Sequence, residues 1–335
     1  MSSIARLAPR QRAWFTDLPV LLVAVVWGFS YLVTKGITTS HTVVAVLLLR
    51  FAAVLPALAV AGRHKLRALD AAQWRAAGLL GLVLAGIFLV ETYGVVRTSA
   101  TNAGLIISLT MILTPLAEAA VTRVRPPLTF LAAAALSVAG VALLTQGGGV
   151  TRPSAGDLLM LVAALGHTVH VLLMARIKSM RGADSLSLTT IQLGSAVAVF
   201  ALIAVVPGTG PTPWAVAAGF GVLDWAGLLF LSVLCTLFAF YVQMWSVRRT
   251  SPSRVSLLLG TEPLWAAAVG IAIGGERLGA VGVLGAVLVL GGTGWGRRAV
   301  NPPAPRPARP SRPKVSVAAA VTAGASRDPV TAQRS

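Results

Sequence analysis

Residues 97–106 read RTSATNAGLI, and residues 248–259 read RRTSPSRVSLLL. Arg97-Thr98-Ser99 returns as Arg249-Thr250-Ser251, and each copy leads into an apolar run that holds one proline, Pro115 or Pro263. A serine ahead of such a run can cap the exposed N–H groups of a helix start, and Pro252 suits the first helical position. Two similar caps would account for the echo alone. A duplicated half-chain would also account for it, and would require further matches elsewhere.

The composition says where those helices sit. The chain has 335 residues, 56% of them hydrophobic and only 11% charged, with a mean hydropathy of +0.81. A soluble domain of this length needs more charge to cover its surface, whereas a polytopic membrane protein does not. The single cysteine, Cys235, lies in an apolar run and reads as a small hydrophobe. One thiol can form neither an internal disulfide nor a multi-cysteine zinc site. The net charge of +18 invites a nucleic-acid reading. The basic residues lie between apolar runs and in the C-terminal tail rather than on one face, which argues against nucleic acid as a partner.

A bilayer span needs about 20 mostly apolar residues. Ten segments qualify: 18–38, 41–61, 76–96, 99–121, 128–146, 157–177, 186–206, 225–247, 253–273 and 277–296. The third contains Glu91, and the sixth contains His167 and His170. The leader with Arg6, Arg10 and Arg12 runs into the first span without a signal-peptide cleavage site. With the N-terminus in the cytoplasm, 23 Lys/Arg fall in inside segments. Only Lys35, Arg97, Arg152 and Arg277 fall outside, and Arg50 sits within a span. The positive-inside rule therefore predicts both termini cytoplasmic in a multi-pass protein of the cell membrane. Trp74, Trp214, Trp225 and Trp295 fall near span ends, as an interfacial belt requires, but Trp27 and Trp265 lie mid-span and become cavity candidates.

The halves match beyond the echo. Each ends in a glycine-containing span, 128–146 or 277–296, and Arg50 in the second span has a counterpart in Gln192 of the seventh. The predicted organisation is a basic cytoplasmic leader (1–17), a five-helix repeat (18–150), a second five-helix repeat (151–298) and a disordered cytoplasmic tail (299–335). Five is odd, so the second repeat enters the membrane inverted. The fold class is thus an all-α integral membrane protein with ten transmembrane helices as two inverted five-helix repeats. Inverted repeats are a signature of secondary transporters, whose substrate site lies near the midplane where the repeats meet.

With WGFSYLVTKG in span one, LLLRFAAVL in span two and SPSRVSLLLGTEPLWAAAVGIAIGGERL across spans nine and ten, the chain resembles the EamA-type branch of the drug/metabolite transporter superfamily. The resemblance covers about residues 15–298. It implies a central cavity between spans 1–4 and 6–9. It also implies peripheral spans 5 and 10 that could form a homodimer through Ala135, Ala139, Gly279, Gly282, Gly285 and Ala286, where small residues permit close approach. In the family the proline-containing span is followed by a glycine and a glutamate in both halves. Here Gly275-Glu276 follows Pro263, but Arg123 and Arg125 stand where the first-half glutamate is expected.

Ionisable groups in a span normally face a cavity or a partner. Arg50, His167 and Glu262 fall near mid-depth. Arg50, always charged, reads either as an anchor for a carboxylate or phosphate or as the structural ion-pair partner of Glu262. The resemblance favours a structural or gating role. Glu262 before Pro263 suits a proton or cation step, because proline frees a backbone carbonyl one turn back. His167 and His170 share a helix face at i,i+3 and suit substrate hydrogen bonding or proton coupling. No third ligand accompanies them, so no metal site is assigned. Glu91, nearer the outer end of span 3, is expected at an interface or a helix pair, and joins Glu262 as a coupling candidate. Trp27, Tyr31 and Trp265 could stack on a flat or cationic substrate. Gln192 is a binding candidate, and Lys35 and Glu276 are gate candidates.

These features favour a secondary transporter that moves a small metabolite or drug-like molecule by alternating access, with export following from the resemblance. A membrane scaffold or sensor is the alternative. No nucleophile, paired carboxylates or Walker-type loop point to an enzyme or to ATP drive, and no cofactor is expected.

Overall fold

The structure, a computed structural model, describes residues 9–123, 125–144, 153–177, 182–247, 255 and 258–300. The second copy of the echo, from Arg249 to Pro252, and the tail beyond residue 300 lie outside the described residues.

The described residues are helical, with no strand among them. The N-terminal half holds α1 (Pro9–Ile37), α2 (Val43–Leu66), α3 (Ala71–Val95), α4 (Ala100–Ile107), α5 (Thr110–Thr122) and α6 (Leu128–Leu144). The C-terminal half holds α7 (Ala155–Arg176), α8 (Ser185–Ala204), a short α9 (Pro213–Gly219) and α10 (Val222–Leu229). From α10 a π-helical segment (Phe230–Phe238) leads into α11 (Ala239–Val247), followed by α12 (Glu262–Ala272) and α13 (Ala280–Val300). Among the described residues seven helices are long and apolar enough to cross a membrane, counting Ala100–Thr122 through its break and Val222–Gln243 through its π segment. Shorter apolar helices, Leu128–Leu144, Glu262–Ala272 and Ala280–Gly296, occupy the places expected of spans 5, 9 and 10.

Polar caps decide where several helices begin. Asp70 and Gln73 form a reciprocal capping box at α3, and Ser154 and Asp157 form another at α7. Ser99 Oγ accepts from Asn102 N at 2.9 Å, so the first copy of the echo is a helix cap as expected.

The echo also predicts where a helix breaks. Arg97 and Arg249 are 152 positions apart. The fourth apolar run turns at Ser108–Leu109, between α4 and α5; the ninth turns at Gly260–Thr261, ahead of α12. These turns share that same separation of 152. The prolines do not. Pro115 lies inside α5, whereas Pro263 sits in the first turn of α12. Spans 4 and 9 are therefore not the continuous helices expected from hydropathy, because hydropathy does not register a local backbone turn.

The halves interleave. α3 packs on α7 and α8, α2 on α8, and α1 and α4 both pack on α12. Glycines permit the approach. A Cβ on Gly28 would lie 2.5 Å from the Trp265 Cβ, and one on Gly81 would lie 2.6 Å from the Gln192 carbonyl oxygen. Lipid offers no hydrophobic drive between helices, so such close backbone contact carries the association. α6 and α13 pack on each other in the same way, with Gly140 against Val289 N and Gly285 O. Gly285 and Ala286, expected to serve contact between copies, are buried in this intrachain contact, while Ala135 and Ala139 face outward. The outer surface carries large apolar side chains, among them Leu128, Leu202 and Val222. That surface suits lipid rather than water.

Candidate functional site

A cavity of about 760 Å³ lies where the halves meet. The broken helices contribute matched positions to it. Glu262 is the first residue of α12, and Thr110, 152 positions earlier, is the first residue of α5; both line the cavity. Discontinuous helices beside a cavity expose backbone polar groups where a ligand can use them.

Glu262 is thus a helix-start residue rather than one inside a continuous helix. Its Oε1 accepts from the Tyr31 hydroxyl at 2.7 Å, which joins α12 to α1. Glu91, expected at an interface or a helix pair, lies in the cavity wall. His167 Nε2 donates to its Oε2 at 2.8 Å, joining α7 to α3. His170, one turn from His167, donates to Gln192 Oε1 at 2.9 Å. The two histidines share a face but have separate partners.

Arg50 also lines the cavity. The ion pair with Glu262 anticipated from charge and depth is not formed. Among the described residues the ion pairs are Lys65–Asp184 and Glu91–His167. The Arg50 Nε is buried without a hydrogen-bond partner, and its guanidinium carbon lies 5.1 Å from the Phe51 ring centroid. The reason is geometric: matching depth does not bring two side chains to the same side of the bundle.

Trp27 lines the cavity, and its Nε1 donates to the Cys235 carbonyl at 2.9 Å. Cys235 lies in the π segment, and Thr236, Phe240 and Gln243 continue this wall of the cavity. Sequence periodicity missed these residues, because a single π insertion leaves no hydropathy signal. Thr110 could have been found from the echo. Trp265, by contrast, does not line the cavity. Its indole N–H donates to Thr261 Oγ1 at 3.3 Å, and its Cβ packs against Gly28.

Lys35 and Glu276 lie beyond one end of the cavity. Lys35 Nζ donates to the Thr98 carbonyl, and the Glu276 carboxylate accepts from Ala100 N at 2.6 Å and Thr101 N at 2.9 Å. Toward this end the lining residues Thr34, Thr92 and Val95 are buried. At the other end the lining residue Met174 is 41% exposed.

The model of the EamA-like transporter family matches residues 14–146 and again residues 154–295, which accounts for both halves as copies of one unit. No curated protein matches the chain. A crystal structure of a protein 19% identical has a TM-score of 0.56, covering 84% of this chain and 95% of its own, and shares the fold.

Proposed function

We propose that this chain, which belongs to the EamA-like transporter family, exports a small metabolite or drug-like molecule across the cytoplasmic membrane by alternating access. One observation carries the reading: polar pairs of the cavity join opposite halves. Glu91–His167 ties α3 to α7, and Tyr31–Glu262 ties α1 to α12. If the halves rock about the cavity, these contacts break and reform in each cycle. A ligand or proton that competes for them biases the two states by its differential affinity.

In this reading Arg50 offers an unpaired cation to an acceptor-rich group of the substrate, and Trp27 and Tyr31 offer aromatic surface. His167, His170 and Gln192 supply hydrogen-bonding groups. Glu91 and Glu262 take up or release the coupling proton. The inward excess of basic residues supports cytoplasmic termini, and export follows the family resemblance. Metabolomes of cytosol and medium test the reading in cells expressing the parent, His167→Ala, Glu262→Gln or no protein at matched membrane levels. A compound enriched outside with the parent and lost with either variant is expected. No difference in either compartment would overturn export.

A further inference from the structure

We infer that Asp157 and Glu276 form a lock that holds one end of the cavity shut by gripping the start of α4 across the two halves. The inference rests on the alternating-access reading above.

The start of α4 belongs to the N-terminal half, and both carboxylates belong to the C-terminal half. The four leading N–H groups of a helix have no intrahelical partner. Glu276 takes two of them, from Ala100 and Thr101, one on each carboxylate oxygen. Ser99 takes a third, from Asn102. Asp157 Oδ1 accepts from the Thr98 hydroxyl and from Asn102 Nδ2 at 3.1 Å. Its Oδ2 accepts from Ser154 N at 3.0 Å, within the cap of α7. One carboxylate therefore fastens the start of α7 to the start of α4. The backbone is equally close: a Cβ on Gly156 would strike the Arg97 carbonyl group, and one on Gly270 would strike Thr101 Oγ1 and Glu276 Oε2. Lys35 from α1 completes the cluster through the Thr98 carbonyl.

Both anions sit at helix starts, where the helix dipole favours negative charge. Asp157 is only 4% exposed. At the opposite end the described residues hold an exposed ion pair between the halves. Lys65 and Asp184 pair at 2.7 Å, with the Lys65 side chain 56% exposed. Exposed pairs of that kind contribute little. The lock favours the state closed at the α4 end. Opening there requires Glu276 and Asp157 to leave α4 while water replaces them.

Thiol labelling tests this without any substrate. Thr34 lines the cavity toward the locked end and is buried. In the full chain carrying Cys235→Ala and Thr34→Cys, a membrane-impermeant charged maleimide is applied to intact cells and to inverted vesicles. With the lock intact, labelling is expected only from the face opposite the lock. Glu276→Ala should raise labelling from the locked face by about 5- to 30-fold, the range expected on losing a helix cap. Thr98→Val with Asn102→Ala strips Asp157 of its side-chain partners and should act in the same direction. It decides the matter if Glu276→Ala fails to fold. Unchanged labelling from the locked face in both variants, with opposite-face labelling intact, overturns the lock. So does equal labelling from both faces in the parent. An opened lock without any change in exported metabolites would instead sink the export reading and leave the lock standing.

Discussion

Glu91 on α3 and His167 on α7 meet at 2.8 Å in the cavity wall, with side-chain exposures of only 20% and 28%. In the proposed transport cycle this contact between the halves is one that a coupling proton would compete for.

Glu91→Gln and His167→Gln should therefore each abolish proton movement coupled to transport. In proteoliposomes holding a pH-sensitive dye, substrate-driven acidification is expected for the parent and absent for both. Replacing one partner by leucine, Glu91→Leu or His167→Leu, leaves the other without a hydrogen-bond partner and should destabilise the protein by about 1–3 kcal/mol. The double variant should recover stability but not coupling, as a double-mutant cycle of thermal unfolding would read. Retained coupling in Glu91→Gln would exclude the pair.

Arg50 orphans no carboxylate when removed, since Glu262 bonds Tyr31 instead. Arg50→Gln should keep its thermal stability to within about 1 kcal/mol while losing at least about tenfold in export of an anionic substrate. A buried Arg50–Glu262 pair would behave differently, with Arg50→Gln costing about 3–5 kcal/mol. Melting curves in detergent separate the two.

The glycines at helix crossings predict a graded series. A Cβ at Gly28 would lie 2.5 Å from the Trp265 Cβ, one at Gly81 would lie 2.6 Å from the Gln192 oxygen, and one at Gly86 meets nothing within 4 Å. Gly28→Ala and Gly81→Ala should each cost about 1–3 kcal/mol by overpacking. Gly86→Ala should be neutral or stabilising by up to about 1 kcal/mol. Thermal unfolding of the three variants checks the order.

At the end opposite the start of α4, Asp184 caps α8 and bonds Lys65. Partial burial raises its carboxyl pKa, but the Lys65 ammonium and the Ser187 N–H outweigh that and hold it below the ordinary 3.8. A carboxyl depressed on folding adds stability above its unfolded pKa and loses it as pH falls through the folded value. Lys65→Met should therefore cost about 0.2–1 kcal/mol near neutral pH, and the difference should vanish in acid once Asp184 is protonated. Melting temperatures of both proteins from pH 7 down to about pH 3 measure it.

Much of this protein is written locally. Long apolar runs with few charges define the membrane class, and the returning Arg-Thr-Ser marks the repeat. It also carries the helix break from Ser108–Leu109 to Gly260–Thr261 and pairs Thr110 with Glu262. Ser99 and the Ser154–Asp157 pair place helix starts, because a cap involves residues three apart in the chain. Other relationships only the tertiary structure decided. Glu91 pairs with His167, Glu262 bonds Tyr31 rather than Arg50, Trp265 packs against Gly28 instead of lining the cavity, and Glu276 grips a helix start from the other half. Hydropathy gives a residue its depth along the membrane normal. It gives neither the rotation of its helix nor the neighbour across the bundle, and those two coordinates determine which polar groups meet.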